Sequence, residues 1–92
     1  MSRLSDLYYE LVQDEGPIEL EAFLERVARG EHGEFSPEEI EAFIDETLGM
    51  MIENIRVKAS EAPYYEEMAA QVEAETYERI KALKEKYGRR RS

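Results

Sequence analysis

Apolar residues recur along most of this chain at steps of three and four, which is the pattern of amphipathic α-helices. The pattern is interrupted by Gly16 and Pro17, by the segment 30–34 and by Pro63. Gly and Pro commonly end helices or begin new ones. The sequence therefore predicts four helices, near residues 3–14, 18–29, 37–59 and 63–87.

The third predicted helix has the clearest start. Ser36 can accept a hydrogen bond from the backbone N–H of Glu39, whose carboxylate can reach back to the N–H of Ser36. Pro37 occupies the first helical position, where its missing N–H costs nothing. Phe35 and Ile40 have the spacing of a hydrophobic staple. These residues predict a helix that begins at residue 37.

The end of this helix can be interpreted in two ways. Ile55, Val57 and Ala59 alternate with polar residues, which is typical of a strand. Ile52, Ile55 and Ala59 also continue the three- and four-residue step, which favours a helix. Gly49, within the predicted helix, costs about 1 kcal/mol relative to Ala and indicates a close contact or a bend. We expect helix, and hence an all-α, small four-helix domain with a long C-terminal helix.

The strand alternative resembles a winged-helix domain in the apolar spacing of residues 4–65. The resemblance implies helices at 7–11 and 18–24, a recognition helix at 36–49, and a wing at 55–59 with 64–65. That recognition helix has no Lys or Arg, and its acidic residues are Glu38, Glu39, Glu41, Asp45 and Glu46. DNA would repel such a surface. The resemblance would therefore imply a surface that meets protein.

The composition indicates a globular chain. Of 92 residues, 42% are hydrophobic and 37% charged, with a net charge of −10, and this hydrophobic fraction separates the chain from disordered proteins. It contains no cysteine, which excludes disulfides and thiolate metal sites. No apolar run approaches the ~20 residues of a membrane span, and no secretion signal is recognisable. We expect a cytoplasmic protein, with residues 1–88 forming one domain.

Charge is unevenly distributed along the chain. Residues 79–92 contain seven Lys or Arg and one Glu, whereas residues 30–55 contain eight acids and no Lys or Arg. Residues 89–92 are predicted to be a disordered basic tail. Candidate basic residues for binding a partner are Lys84, Lys86, Arg89, Arg90 and Arg91. A nucleic-acid-associated regulator is thus the alternative function, although the acidic body opposes the approach of phosphate.

The sequence gives little indication of catalysis. His32 is the only histidine, and its neighbours Glu31 and Glu34 do not complete a common zinc site. Carboxylate di-iron sites in helical bundles use Glu-x-x-His motifs, which this chain lacks. No phosphate-binding glycine loop is present. We expect no enzymatic activity, no metal and no cofactor.

The last predicted helix is long enough to carry an interface. At 1.5 Å per residue it would extend about 37 Å, roughly twice the first two helices. Its C-terminal end is expected to project beyond the body and to expose Tyr77, Ile80, Leu83 and Tyr87. Contiguous exposed apolar side chains usually mark an interface. The sequence therefore favours a non-enzymatic protein–protein interaction or assembly module, with homo-oligomerisation through this helix as one form.

Overall fold

The computed structural model describes residues 2–88, and within them the chain forms α-helices without strands. The helices are α1 (Arg3–Glu15), α2 (Leu20–Ala28), α3 (Pro37–Glu61) and α4 (Glu66–Tyr87), with a 3-10 turn at Pro63–Tyr65. The predicted all-α fold is confirmed. The winged-helix alternative is wrong, because residues 55–59 belong to α3.

The start of α3 follows the predicted capping. The backbone N–H of Glu39 donates to Ser36 Oγ over 3.1 Å, and the N–H of Ser36 donates to Glu39 Oε1 over 3.3 Å. Pro37 takes the first helical position. Ser2 caps α1 in a similar way, since its side chain accepts from the N–H of Ser5. Gly16 ends α1 with a φ of 93°, a conformation that favours glycine.

The helix bounds differ from the prediction by a few residues. α2 begins at Leu20 rather than 18 and ends at Ala28. α3 continues to Glu61, and the extended residue Ala62 separates it from Pro63. Residues 63–65 form a 3-10 turn rather than the first turn of α4. Apolar periodicity predicts helices well but does not locate their terminal residues.

α3 and α4 form an antiparallel hairpin. An ion pair joins Arg56 Nη2 to Glu73 Oε1 over 2.5 Å, and another joins Lys84 Nζ to Asp45 Oδ1 over 2.7 Å. The two residues on each helix are eleven positions apart, about three helical turns, so both pairs lie on one side of the hairpin.

The short helices cover only part of this hairpin. α3 is about 37 Å long, against about 20 Å for α1 and 14 Å for α2. The core that α1 and α2 share with the hairpin uses α3 side chains only as far as Leu48 and α4 side chains from Ile80 onward. We call α1, α2 and these parts of the hairpin the base. The rest of the hairpin, residues 49–79, is the arm.

The shape and packing of the chain reflect this division. The radius of gyration is 14.7 Å, whereas a compact domain of this length has about 12 Å. In the base, the rings of Tyr8, Phe23 and Phe43 lie 5.1 to 5.7 Å apart between centroids. The C-terminal end of α4 was expected to project and does not, because Leu83 and Tyr87 are core residues. The opposite end of α4, beside Pro63–Tyr65, is in the projecting arm.

Candidate functional site

The four predicted interface residues of α4 do not form one exposed surface. Leu83 and Tyr87 are 4% and 8% exposed in the core of the base, so their predicted exposure is wrong. Ile80 is partly buried and packs against that core. Tyr77 is 51% exposed and accepts a hydrogen bond from Arg56 Nη2 over 3.4 Å. Tyr77 is thus separated from the other three residues.

The two described residues of the predicted basic site contact carboxylates of the protein itself. Lys84 pairs with Asp45, and Lys86 Nζ lies 3.1 Å from Glu21 Oε2 and 3.4 Å from Glu25 Oε1. Hydrogen bonds with Tyr87 and Glu21 raise the pKa of Lys86. Within the described chain, these two lysines therefore hold α4 against α3 and α2. The other members of the predicted basic site, Arg89, Arg90 and Arg91, and the predicted tail lie outside the described residues.

His32 lies beside the core of the base. The His32 ring stacks on Phe23, with 6.1 Å between ring centroids, and its buried Nε2 has no hydrogen-bond partner among residues 2–88. Residues 2–88 contain no group of three His, Asp or Glu side chains that could hold a metal ion. None of the helices described is both long and apolar enough to cross a bilayer.

The arm carries an open groove between its two helices. Its volume is about 360 Å³, and it is lined by Ile55, Lys58, Tyr65, Met68, Ala69 and Val72. Met68 is 53% exposed, and Met51, one helical turn before Ile55, is 44% exposed. Apolar side chains from both helices are therefore accessible at this site.

The groove lies on the side of the hairpin that, at the other end of the hairpin, faces the core of the base. Lys86 and Met68 are eighteen residues apart, about five complete turns, so they share one face of α4. Glu21 of α2 reaches that face at Lys86, and Met68 is 53% exposed. Ile40 and Lys58 of α3 are also eighteen residues apart; Ile40 packs against the core, whereas Lys58 lines the groove. We call this side of the arm, with Met51, Ile55, Lys58, Met68, Val72, Glu75 and Arg79, the groove face.

The two sides of the arm differ in how their cations are paired. Opposite the groove, Arg56 pairs with Glu73, and this hydrogen bond raises the pKa of Arg56 and lowers the pKa of Glu73. On the groove face, the side chains of Lys58 and Arg79 have no ion pair with any residue in 2–88. A molecule that fits this face would present apolar side chains and carboxylates.

The apolar pattern of the sequence places Met51, Ile55, Met68 and Val72 on helical stripes. It does not indicate the surface that they form together. The short segment between α2 and α3 is the sequence feature that could have located this surface. It keeps α2 near the start of α3, and the turn at Pro63 then returns the end of α4 to the same place. The turn, rather than the C-terminal end of α4, is therefore the part of the hairpin that α1 and α2 leave uncovered. The chain matches no protein-family model, no curated protein and no solved structure.

Proposed function

We propose that this protein is a non-enzymatic protein–protein interaction or assembly module and that it binds through the groove face of the arm. The observation that carries the proposal is the continuation of the core-forming face of the hairpin beyond the base, where Ile55, Met68 and Val72 line an open groove. Apolar surface of this kind on a water-exposed chain commonly marks an interface.

The chemistry of the groove suits a helix from another chain. Two antiparallel helices leave a channel in which a third helix can lay its apolar side. Met51 and Met68 have unbranched, polarizable side chains that adapt to different shapes. The ion pair between Arg56 and Glu73 lies on the opposite side of the arm and does not occupy the groove.

A protein partner accounts for the charges better than a nucleic acid does. The chain carries 22 acids against 12 bases, which opposes contact with phosphate. Lys84 and Lys86, the described residues of the predicted basic site, already contact carboxylates. The cytoplasmic location expected from the sequence remains part of this proposal, and cell fractionation tests it.

Photo-crosslinking in the native cell tests the proposal. A photoreactive amino acid is introduced at Met68 in the groove and, as a matched control, at Met50, which is 56% exposed on α3 and does not line the groove. We expect protein adducts from position 68 and few from position 50. Equal adduct formation at both positions, or none at position 68, would contradict the proposal.

A further inference from the structure

We infer that His32 is a pH-sensitive switch in the base. Its neutral ring holds the connecting segment between α2 and α3, residues 29–36, against Phe23, and its protonated ring leaves this position and opens the segment. The inference goes beyond the proposed function and does not depend on it, because the groove face lies on the arm.

The position of the His32 ring suits the neutral form. The ring stacks on Phe23 at an interplanar angle of 29°, and Phe23 is fully buried in the core. The buried Nε2 of His32 has no hydrogen-bond partner among residues 2–88. A neutral imidazole can carry its proton on Nδ1 and leave only a lone pair at Nε2, whereas an imidazolium carries N–H groups on both nitrogens. Protonation would therefore place a charged donor at a buried position without an acceptor, which is strongly unfavourable.

The connecting segment offers the protonated ring a second position. Gly30 and Gly33, on either side of His32, have φ values of 78° and 92°. Glycine adopts many backbone conformations, so these two residues can absorb the rotation that turns His32 outward. Glu31 and Glu34 are both exposed, and a ring turned into solvent would lie near their carboxylates, which favour its charged form. One position thus suits the neutral ring and the other suits the charged ring.

The groups around the segment do not provide another switch in the same pH range. The charged or titratable groups of the surrounding elements are Arg3 of α1, Arg26 of α2, Glu39 of α3, Tyr87 of α4 and, in the segment itself, Arg29, Glu31 and Glu34. Guanidinium and carboxyl groups ordinarily titrate well outside pH 5 to 8. Burial raises the pKa of the Tyr87 phenol further above this range. His32 is the only histidine of the chain, and histidine is the side chain that ordinarily changes charge between pH 5 and 8.

The direction of the effect follows from the two positions of the ring. At pH 8 a histidine is neutral in either position, so the segment is closed. As the pH falls below about 6.5, the ordinary pKa of histidine, a ring in solvent gains a proton that the closed position does not accommodate. At pH 5.5, one pH unit lower, the ratio of closed to open segment should have fallen about tenfold.

Nuclear magnetic resonance of the full chain tests the inference at one residue, because the chain has a single histidine. The nitrogen shifts of the imidazole report its protonation. The ring current of Phe23 displaces the shifts of the imidazole protons while the two rings are stacked. We expect this displacement at pH 8 and its loss as the ring takes its proton. A His32 ring that remains stacked on Phe23 at pH 5, whether neutral or protonated, would overturn the inference.

Amide hydrogen exchange measures the opening of the segment itself. The N–H groups of Glu31 and Gly33 donate to backbone carbonyls of the same turn over 3.2 and 3.3 Å. Their protection, which compares the exchange rate with that of an unstructured chain at the same pH, should fall about tenfold in the wild type between pH 8 and pH 5.5. In His32→Phe, which keeps an aromatic ring beside Phe23 but takes no proton, their protection should change little.

The matched control returns a histidine to the chain at another place. Gln13 is exposed on α1, so Gln13→His in the His32→Phe background adds a titrating ring that does not hold the segment. This double variant should behave like His32→Phe. An equal pH dependence of protection in the wild type and in His32→Phe would contradict the inference, as would a pH dependence restored by Gln13→His.

Discussion

The hydroxyl of Tyr87 donates a hydrogen bond to the carboxylate of Glu25 and so joins the last turn of α4 to α2. The ring of Tyr87 is buried in the core of the base, and Lys86 beside it pairs with the same carboxylate. This hydrogen bond lowers the pKa of Glu25, while burial raises the pKa of Tyr87. The end of α4 is therefore a structural part of the base.

Two substitutions of Tyr87 should distinguish the contribution of its ring to stability from that of its hydroxyl. Tyr87→Phe removes only the hydrogen bond and should reduce the free energy of unfolding by about 1 kcal/mol. Tyr87→Ala also removes the buried ring and should cost about 3 kcal/mol. Urea denaturation measures both. Tyr77, which is exposed, provides the control, and a cost for Tyr77→Ala as large as that for Tyr87→Ala would contradict this account.

The cap of α3 should contribute measurably to stability. Ser36→Ala removes the oxygen that accepts from the N–H of Glu39 and should cost about 1 kcal/mol of unfolding free energy. Ser60 is the matched control, since it is exposed and its hydroxyl donates to the Val57 carbonyl of its own helix. Ser60→Ala should change the urea midpoint little. Equal midpoints for the two variants would show that the capping box is not stabilising.

Two glycines should respond to alanine in opposite directions. An added Cβ at Gly49 meets no atom within 4 Å, so Gly49→Ala should stabilise the helix by about 1 kcal/mol. At Gly88 the Cβ would lie 2.6 Å from Glu41 Cγ and 2.8 Å from the Lys84 carbonyl oxygen. Gly88→Ala should therefore destabilise the protein by about 2 kcal/mol. Thermal denaturation compares the two variants, and a shift of both in the same direction would contradict the prediction.

The helices could be predicted from the sequence because their signals are local. The capping residues Ser36 and Pro37 and the apolar step of α3 depend only on neighbouring positions. The strand reading of residues 55–59 failed because alternation over so few residues also fits a helix. The close contact considered for Gly49 is absent from its described surroundings, since no atom beyond its chain neighbours and its own helical backbone lies within 4 Å of the added Cβ.

The candidate site was harder to predict because it depends on how helices of unequal length are placed. The helix lengths indicated that the short helices would leave part of α4 uncovered, but they did not indicate which part. That choice follows from tertiary contacts such as Lys86 with Glu21 and Tyr87 with Glu25, which join residues more than 60 positions apart. Ser5 is a second example: its burial and its contact with Glu46 have no local sequence signal.

The contact between Ser5 and Glu46 should make stability depend on pH. Ser5 Oγ donates to Glu46 Oε2 over 2.7 Å, and this hydrogen bond is the main reason that the pKa of Glu46 is lowered. A carboxyl group whose pKa is lower in the folded state than in the unfolded state stabilises the fold. This stabilisation is fully present above the unfolded-state pKa of about 4.3, and it is lost as the pH falls through the folded-state pKa. Ser5→Ala should therefore be less stable than the wild type at pH 7, and the difference should shrink toward pH 3. Urea titrations across this range measure it, with Ser60→Ala as the control; a constant difference would exclude the linkage.

The arm should open more readily than the base. Leu48, in the base, is almost completely buried, whereas Met68 in the arm is about half exposed. Segments with few buried apolar contacts open locally at a lower free energy than the core does. Amide hydrogen exchange should therefore be faster within residues 53–75 of the arm than in the parts of α3 and α4 that belong to the base. Leu48→Ala should cost about 3 kcal/mol of unfolding free energy and accelerate exchange throughout the chain, because it leaves a cavity in the core. Met68→Ala should change global stability little and accelerate exchange only within the arm. Uniform exchange along both long helices, or a global effect of Met68→Ala, would mean that arm and base unfold as one unit.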